Sequence, residues 1–154
     1  MILTIQGVLE LSAWDLHPSL WRQALTVLMQ MLDLIVDAPD PEQVILFGSW
    51  AKGEGRADSD VDLLVVESEP FGPHRSRRGE IARLWRVLFE FDFPKDILVY
   101  SREEVLRRRD CRSHVVGRAL REGKVLYERS GESRGPGNRS AARHCEDFCH
   151  DYCS

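Results

Sequence analysis

The chain has 154 residues, 43% of them hydrophobic and 30% charged, with a formal net charge of −4; that is the composition of one globular domain with no room for a second full core. The acidic excess argues against a general nucleic-acid binder, whose affinity would rest on surplus Lys and Arg neutralising phosphates. No run approaches the ~20 apolar residues that span a bilayer, and an uncharged start followed by Glu10 is unlike a secretory signal, so a cytoplasmic protein without a membrane segment is expected.

From Pro18 to Val36, Leu20, Ala24, Val27, Leu28, Met31, Leu32 and Ile35 recur at helical spacing, predicting an amphipathic helix that packs on a sheet. Asp37-Ala38-Pro39-Asp40-Pro41 ends it. Val44-Ile45-Leu46-Phe47 then reads as a buried strand stopping at Gly48, and Asp60 to Val66 as a second strand. After the turn-rich Glu69-Pro70-Phe71-Gly72-Pro73, Ile81, Leu84, Trp85 and Leu88 mark another helix, and Asp96 to Tyr100 a third strand. Ser101 followed by Glu104 fits a capping box, in which the two side chains satisfy unpaired helix-start donors. A further helix is predicted around Ser113 to Arg121, with Gly123 as its C-cap before Lys124 to Glu128, a short edge strand or chain end.

From Arg129 to Arg143 the chain turns to Gly, Ser, Pro, Asn and Arg, too few apolar residues to offset the entropy of ordering. The expected organisation is a domain over residues 1–128, with its motif core at 43–100, and a disordered tail over 129–154. Cys111 sits in a charged segment, while Cys145, Cys149 and Cys153 crowd the last ten residues; this is no disulfide framework, and reduced thiols are expected. Thiols spaced along successive helical turns are too spread for a zinc tetrahedron, even with His144 and His150 nearby.

The chemistry concentrates in Gly48-Ser49, ten intervening residues, and Asp60-Val61-Asp62, joining the end of one strand to the start of the next. Alternation along a strand turns Asp60 and Asp62 to the same side in an otherwise apolar segment. Each carboxylate raises the other's pKa and loses hydration, a penalty that a divalent cation relieves. Mg²⁺ suits an oxygen-only set, since it takes one or two protein carboxylates and fills its octahedron with water and substrate phosphate. Asp96, at the start of the next strand, is the candidate third carboxylate for a two-ion site or a general base, with Asp92 as the fallback. Gly48 lets backbone amides approach an anion, Ser49 donates from hydroxyl and amide, and Lys52 could add a charge toward a triphosphate. Trp50 reads as packing, and Arg75, Arg77 and Arg78 as a solvated helix start.

Gly48-Ser49-Trp50-Ala51-Lys52-Gly53 with Ser59-Asp60-Val61-Asp62-Leu63 resembles the signature of the polymerase-beta-like nucleotidyltransferase superfamily, and within it the minimal nucleotidyltransferases. Lys52 stands where arginine is more usual, keeping the charge but losing bidentate phosphate geometry. The resemblance spans about Pro39 to Glu128 and implies an α/β (α+β) fold with a small mixed sheet flanked by helices. It implies Asp60, Asp62 and Asp96 as metal ligands, Gly48 and Ser49 as phosphate contacts, Mg²⁺ as cofactor and ATP as donor of a nucleoside monophosphate. Such small proteins pair with HEPN-domain toxins, so the resemblance implies a toxin partner that is either adenylylated or simply bound. A small-molecule transferase needing another subunit is the remaining alternative.

Overall fold

The computed structural model describes residues 18–38, 41–56 and 58–129. The expected tail therefore lies outside the described residues apart from Arg129, as do Cys145, Cys149 and Cys153. Among the described residues, no helix is long and apolar enough to cross a membrane.

Helix α1 spans Pro18–Asp37 and buries Leu28, Met31, Leu32, Ile35 and Val36, the stripe that the periodicity picks out. Four strands follow: β1 (Gln43–Phe47), β2 (Val61–Glu67), β3 (Lys95–Ser101) and β4 (Lys124–Glu128), in the sheet order β3-β2-β1-β4. β1 pairs antiparallel with both β2 and β4, while β2 and β3 run parallel. A parallel pair needs a long crossover, and α3 (Arg77–Val87) supplies it. One helical turn, α2 (Gly48–Ala51), follows β1 directly; α4 (Arg102–Arg108) and α5 (Val115–Glu122) lie between β3 and β4. The mixed sheet flanked by helices is the expected architecture, and β4 is the edge strand rather than a loose chain end.

Both faces of the sheet are covered, which explains why β1 and β2 are continuous apolar runs instead of alternating ones. Val44, Leu46, Leu63, Val65, Ile97 and Val99 pack with α1 and α3 residues on one face. Ile45, Phe47, Leu64 and Val66 meet Val105, Val116 and Ala119 of α4 and α5 on the other.

Helix ends follow local chemistry. Ser101 and Glu104 form the capping box in full. The helix predicted from Ser113 starts at Val115, because His114 is its N-cap and its Nδ1 accepts from the Val116 amide at 3.1 Å. Gly123 caps α5 with extended backbone, φ −80°, so its requirement is space and not handedness: a Cβ there would lie 2.2 Å from the Ala119 carbonyl and 2.7 Å from Ile45. Cys111 is buried, although it sits in a charged segment.

Candidate active site

The end of β1, α2 and the starts of β2 and β3 converge at one end of the sheet. β1 and β2 are antiparallel, so Phe47, the last residue of one, faces Asp62 near the start of the other. Because β2 and β3 are parallel and in register, Asp62 is also the direct partner of Asp96. Residues paired in this way share a face, and it is the face that continues inward through Leu64 and Leu98 toward α4 and α5. Asp60 precedes β2 instead of starting it; the ladder opens at Val61, whose amide donates to the Pro94 carbonyl at 2.8 Å. Asp60 and Asp96 are exposed and Asp62 is half-buried.

Gly48 lies against this carboxylate pair. Its φ of +73° is in the left-handed region, and a Cβ on it would stand 2.1 Å from Asp62 Oδ2. Both facts demand glycine, one through backbone handedness and the other through space. Phe47 acts as N-cap of α2 with no side-chain hydrogen bond, leaving the first-turn amides to other acceptors. Ser49 is half-buried, and no hydrogen bond among the described residues uses its hydroxyl.

Electrostatics single out Asp62. Burial, and then the negative charges of Asp96 and Asp60, hold its carboxyl above the usual carboxylate range, while Arg118 on α5 opposes them. Lys52, the proposed phosphate contact, is paired with Glu122 at 2.8 Å in a bridge whose side chains are 48% and 40% exposed, so the contact is solvated and readily exchanged.

Trp50 organises the loop between the two halves of the motif. The indole is buried, 4% exposed, Nε1 donates to the Ser59 carbonyl at 3.1 Å, and a Cβ at Gly55 would meet the ring at 2.4 Å. Gly55 thus serves close packing. Phe93 lies 5.7 Å from Trp50, centroid to centroid, tying the approach to β3 into the same cluster.

Of the arginine cluster, Arg75 bridges Glu67 at 2.8 Å and Glu80 at 3.5 Å, and Arg77 pairs with Glu104. Two of these three cations are structural, and of the three Arg78 alone forms no ion pair among the described residues. Nothing in the residue pattern singles out Arg118 or Glu122: both sit in an ordinary polar helix pattern, and their approach to Asp62 and Lys52 depends on how α5 lies across the sheet.

The donor set facing solvent is oxygen-only. Two adjacent carboxylates and a raised Asp62 pKa fit Mg²⁺, which asks one or two carboxylates of a protein and takes the rest from phosphate and water. Among the described residues, no group of three or more His, Cys, Asp or Glu side chains is gathered as a closed metal-holding set.

The family model described as "Polymerase beta, Nucleotidyltransferase" matches residues 30–132. No curated protein matches the chain. Two solved structures show partial similarity to the chain. One is the crystal structure of a toxin-antitoxin with AMP-PNP, 19% identical with a TM-score of 0.42, covering 68% of this chain and 73% of that one. The other is a protein from Sulfolobus solfataricus assigned as a nucleotidyltransferase, 18% identical with a TM-score of 0.47, covering 71% and 86%.

Proposed function

The chain belongs to the polymerase-beta nucleotidyltransferase family, and from that premise we propose that it transfers a nucleoside monophosphate, AMP from ATP, to a hydroxyl on a partner protein, with Mg²⁺ held by Asp60, Asp62 and Asp96. The observation that carries this reading is the register of Asp62 against Asp96, with Gly48 packed on the Asp62 carboxylate.

When bound, the ions would neutralise charge on the triphosphate and stabilise the in-line displacement. The remaining roles belong to the chain itself. The amides of Gly48 and Ser49 and the Ser49 hydroxyl donate to phosphate oxygens. Lys52 exchanges Glu122 for the triphosphate, a small cost for an exposed pair. Asp96, exposed at the edge strand, accepts the proton of the acceptor hydroxyl as that oxygen bonds to the α-phosphorus and pyrophosphate leaves.

The described residues supply the donor half of such a site, and the proposed acceptor is a separate molecule. The motif's resemblance to minimal nucleotidyltransferases makes a HEPN-domain toxin the proposed acceptor, with the chain as its antitoxin. A second reading, neutralisation by binding alone, is the alternative that the family resemblance leaves open.

Incubation with α-labelled ATP, Mg²⁺ and a HEPN partner separates the two. Label should appear on the partner and vanish with Asp60→Ala or Asp62→Ala; transfer unchanged in both variants would overturn the mechanism. Suppression of toxicity by both variants without any label transfer would favour binding alone.

A further inference from the structure

The outward side of α3 carries a surface that the transfer chemistry does not use. Arg78, Ala82, Trp85 and Phe89 recur at i, i+4, i+7 and i+11, which aligns them along one side of a helix. Phe89 lies in the turn that continues α3, its amide donating to the Arg86 carbonyl at 3.4 Å. Trp85 is 43% and Phe89 83% exposed, while Leu84 and Leu88 on the inward side are fully buried. Arg83 and Arg86 flank the stripe and are exposed. Among the described residues, no hydrogen bond or ion pair uses the side chains of Arg78, Arg83 or Arg86, whereas the preceding Arg75 and Arg77 are committed to Glu67, Glu80 and Glu104.

We propose that this face docks a partner protein presenting an amphipathic helix whose apolar face is flanked by carboxylates. Three uncommitted cations beside two exposed aromatics outnumber the exposed acids Glu90 and Asp92 that follow them, a local excess opposite in sign to the net charge of −4 and complementary to acidic flanks. The i, i+4 and i+7 spacing lines the anchors along one helix face, against which a second amphipathic helix can pack. Arginine beside aromatics would also suit single-stranded nucleic acid, but one face of Trp85 is already taken. Lys95 Nζ stands 5.3 Å from its ring centroid, held there by the Phe91 carbonyl at 2.8 Å and the Phe93 carbonyl at 3.4 Å. Lys95 immediately precedes Asp96 on an edge strand, so a docked partner would border the carboxylate site. That last consequence rests on the proposed chemistry; the docking itself does not.

The test uses the full chain and a fluorescent synthetic amphipathic helix with Leu and Phe on one face and Glu on both flanks. A Lys-flanked version and labelled oligo(dT) are the comparators, and anisotropy is the readout. The Glu-flanked peptide should bind, and more weakly as salt rises. Trp85→Ala and Phe89→Ala should each weaken it about tenfold with circular dichroism unchanged, since both side chains are exposed. Arg86→Glu should weaken it similarly and restore binding of the Lys-flanked peptide. Equal binding of the two peptides, or Glu-flanked binding indifferent to all three substitutions, would overturn the proposal. So would oligo(dT) binding lost with the same residues while neither peptide binds, or a dimer in sedimentation that Phe89→Ala dissociates. No arm reads nucleotidyl transfer, so its failure and that of the chemistry remain distinguishable.

Discussion

A Cβ placed on Gly48 would stand 2.1 Å from Asp62 Oδ2, so the glycine of the motif is the wall against which the central carboxylate rests. Gly48→Ala should cost about 1–2 kcal/mol for a left-handed alanine, and it should also push the Asp62 carboxylate off its position beside Asp96. Binding of Mn²⁺, followed by paramagnetic resonance, should therefore fall by more than thermal melting alone accounts for. Melting reduced with Mn²⁺ affinity unchanged would separate Gly48 from the site.

Asp62 is held above the usual carboxylate range by burial and by its acidic neighbours. A carboxyl whose folded pKa is raised binds more protons folded than unfolded, so its contribution to stability is present below the unfolded pKa and is lost as pH rises through the folded one. At neutral pH without metal, Asp62→Asn should thus raise the melting temperature, while lowering transfer by at least about 100-fold, the scale of losing an electrostatic group from a transition state. The stability gain should shrink toward acid pH. A variant that melts lower than the parent at pH 7 would contradict the electrostatic account.

Trp50 unites the core with the loop that carries Ser59 and Asp60. Trp50→Ala should cost about 3–5 kcal/mol, as large-to-small core changes do. Trp50→Phe keeps most of the ring but loses the hydrogen bond to the Ser59 carbonyl, and should cost about 1 kcal/mol. Amide exchange in residues 52–60 should quicken in the phenylalanine variant more than exchange in β1, and uniform quickening would argue that Trp50 acts only as core.

Glu67 is 1% exposed at the end of β2, bridged to Arg75 at 2.8 Å, with Oε1 lacking any hydrogen bond. Burial raises its carboxyl pKa, outweighing the opposing Arg75. Arg75→Ala should cost about 3 kcal/mol because it strands a buried charge. Glu67→Gln should cost less, since Arg75 is the more exposed partner and keeps Glu80. Urea unfolding of the two variants should show this asymmetry, and equal losses would refute it.

Apolar runs and helical spacing were enough to predict β1, β2, β3 and α1, because burial on a sheet face or a helix stripe writes its period into the chain. The capping box at Ser101 and Glu104 was equally legible, since its partners lie three residues apart. Arg75 and Arg77 could be read only as a charge run, because their carboxylate partners arrive from β2 and α4.

For the candidate site, sequence by itself determined the residue types and their spacing: glycine and serine after one apolar strand, paired aspartates at the start of the next, and a further aspartate at the start of a third. Those are local facts of a strand-turn-strand unit. Tertiary structure alone decided that Asp62 faces Asp96, since a parallel register is set across the α3 crossover. It likewise decided that Lys52 meets Glu122 and that Arg118 approaches Asp62, through the way α5 crosses the sheet. Charge interactions fall with distance in space, and distance along the chain does not report it.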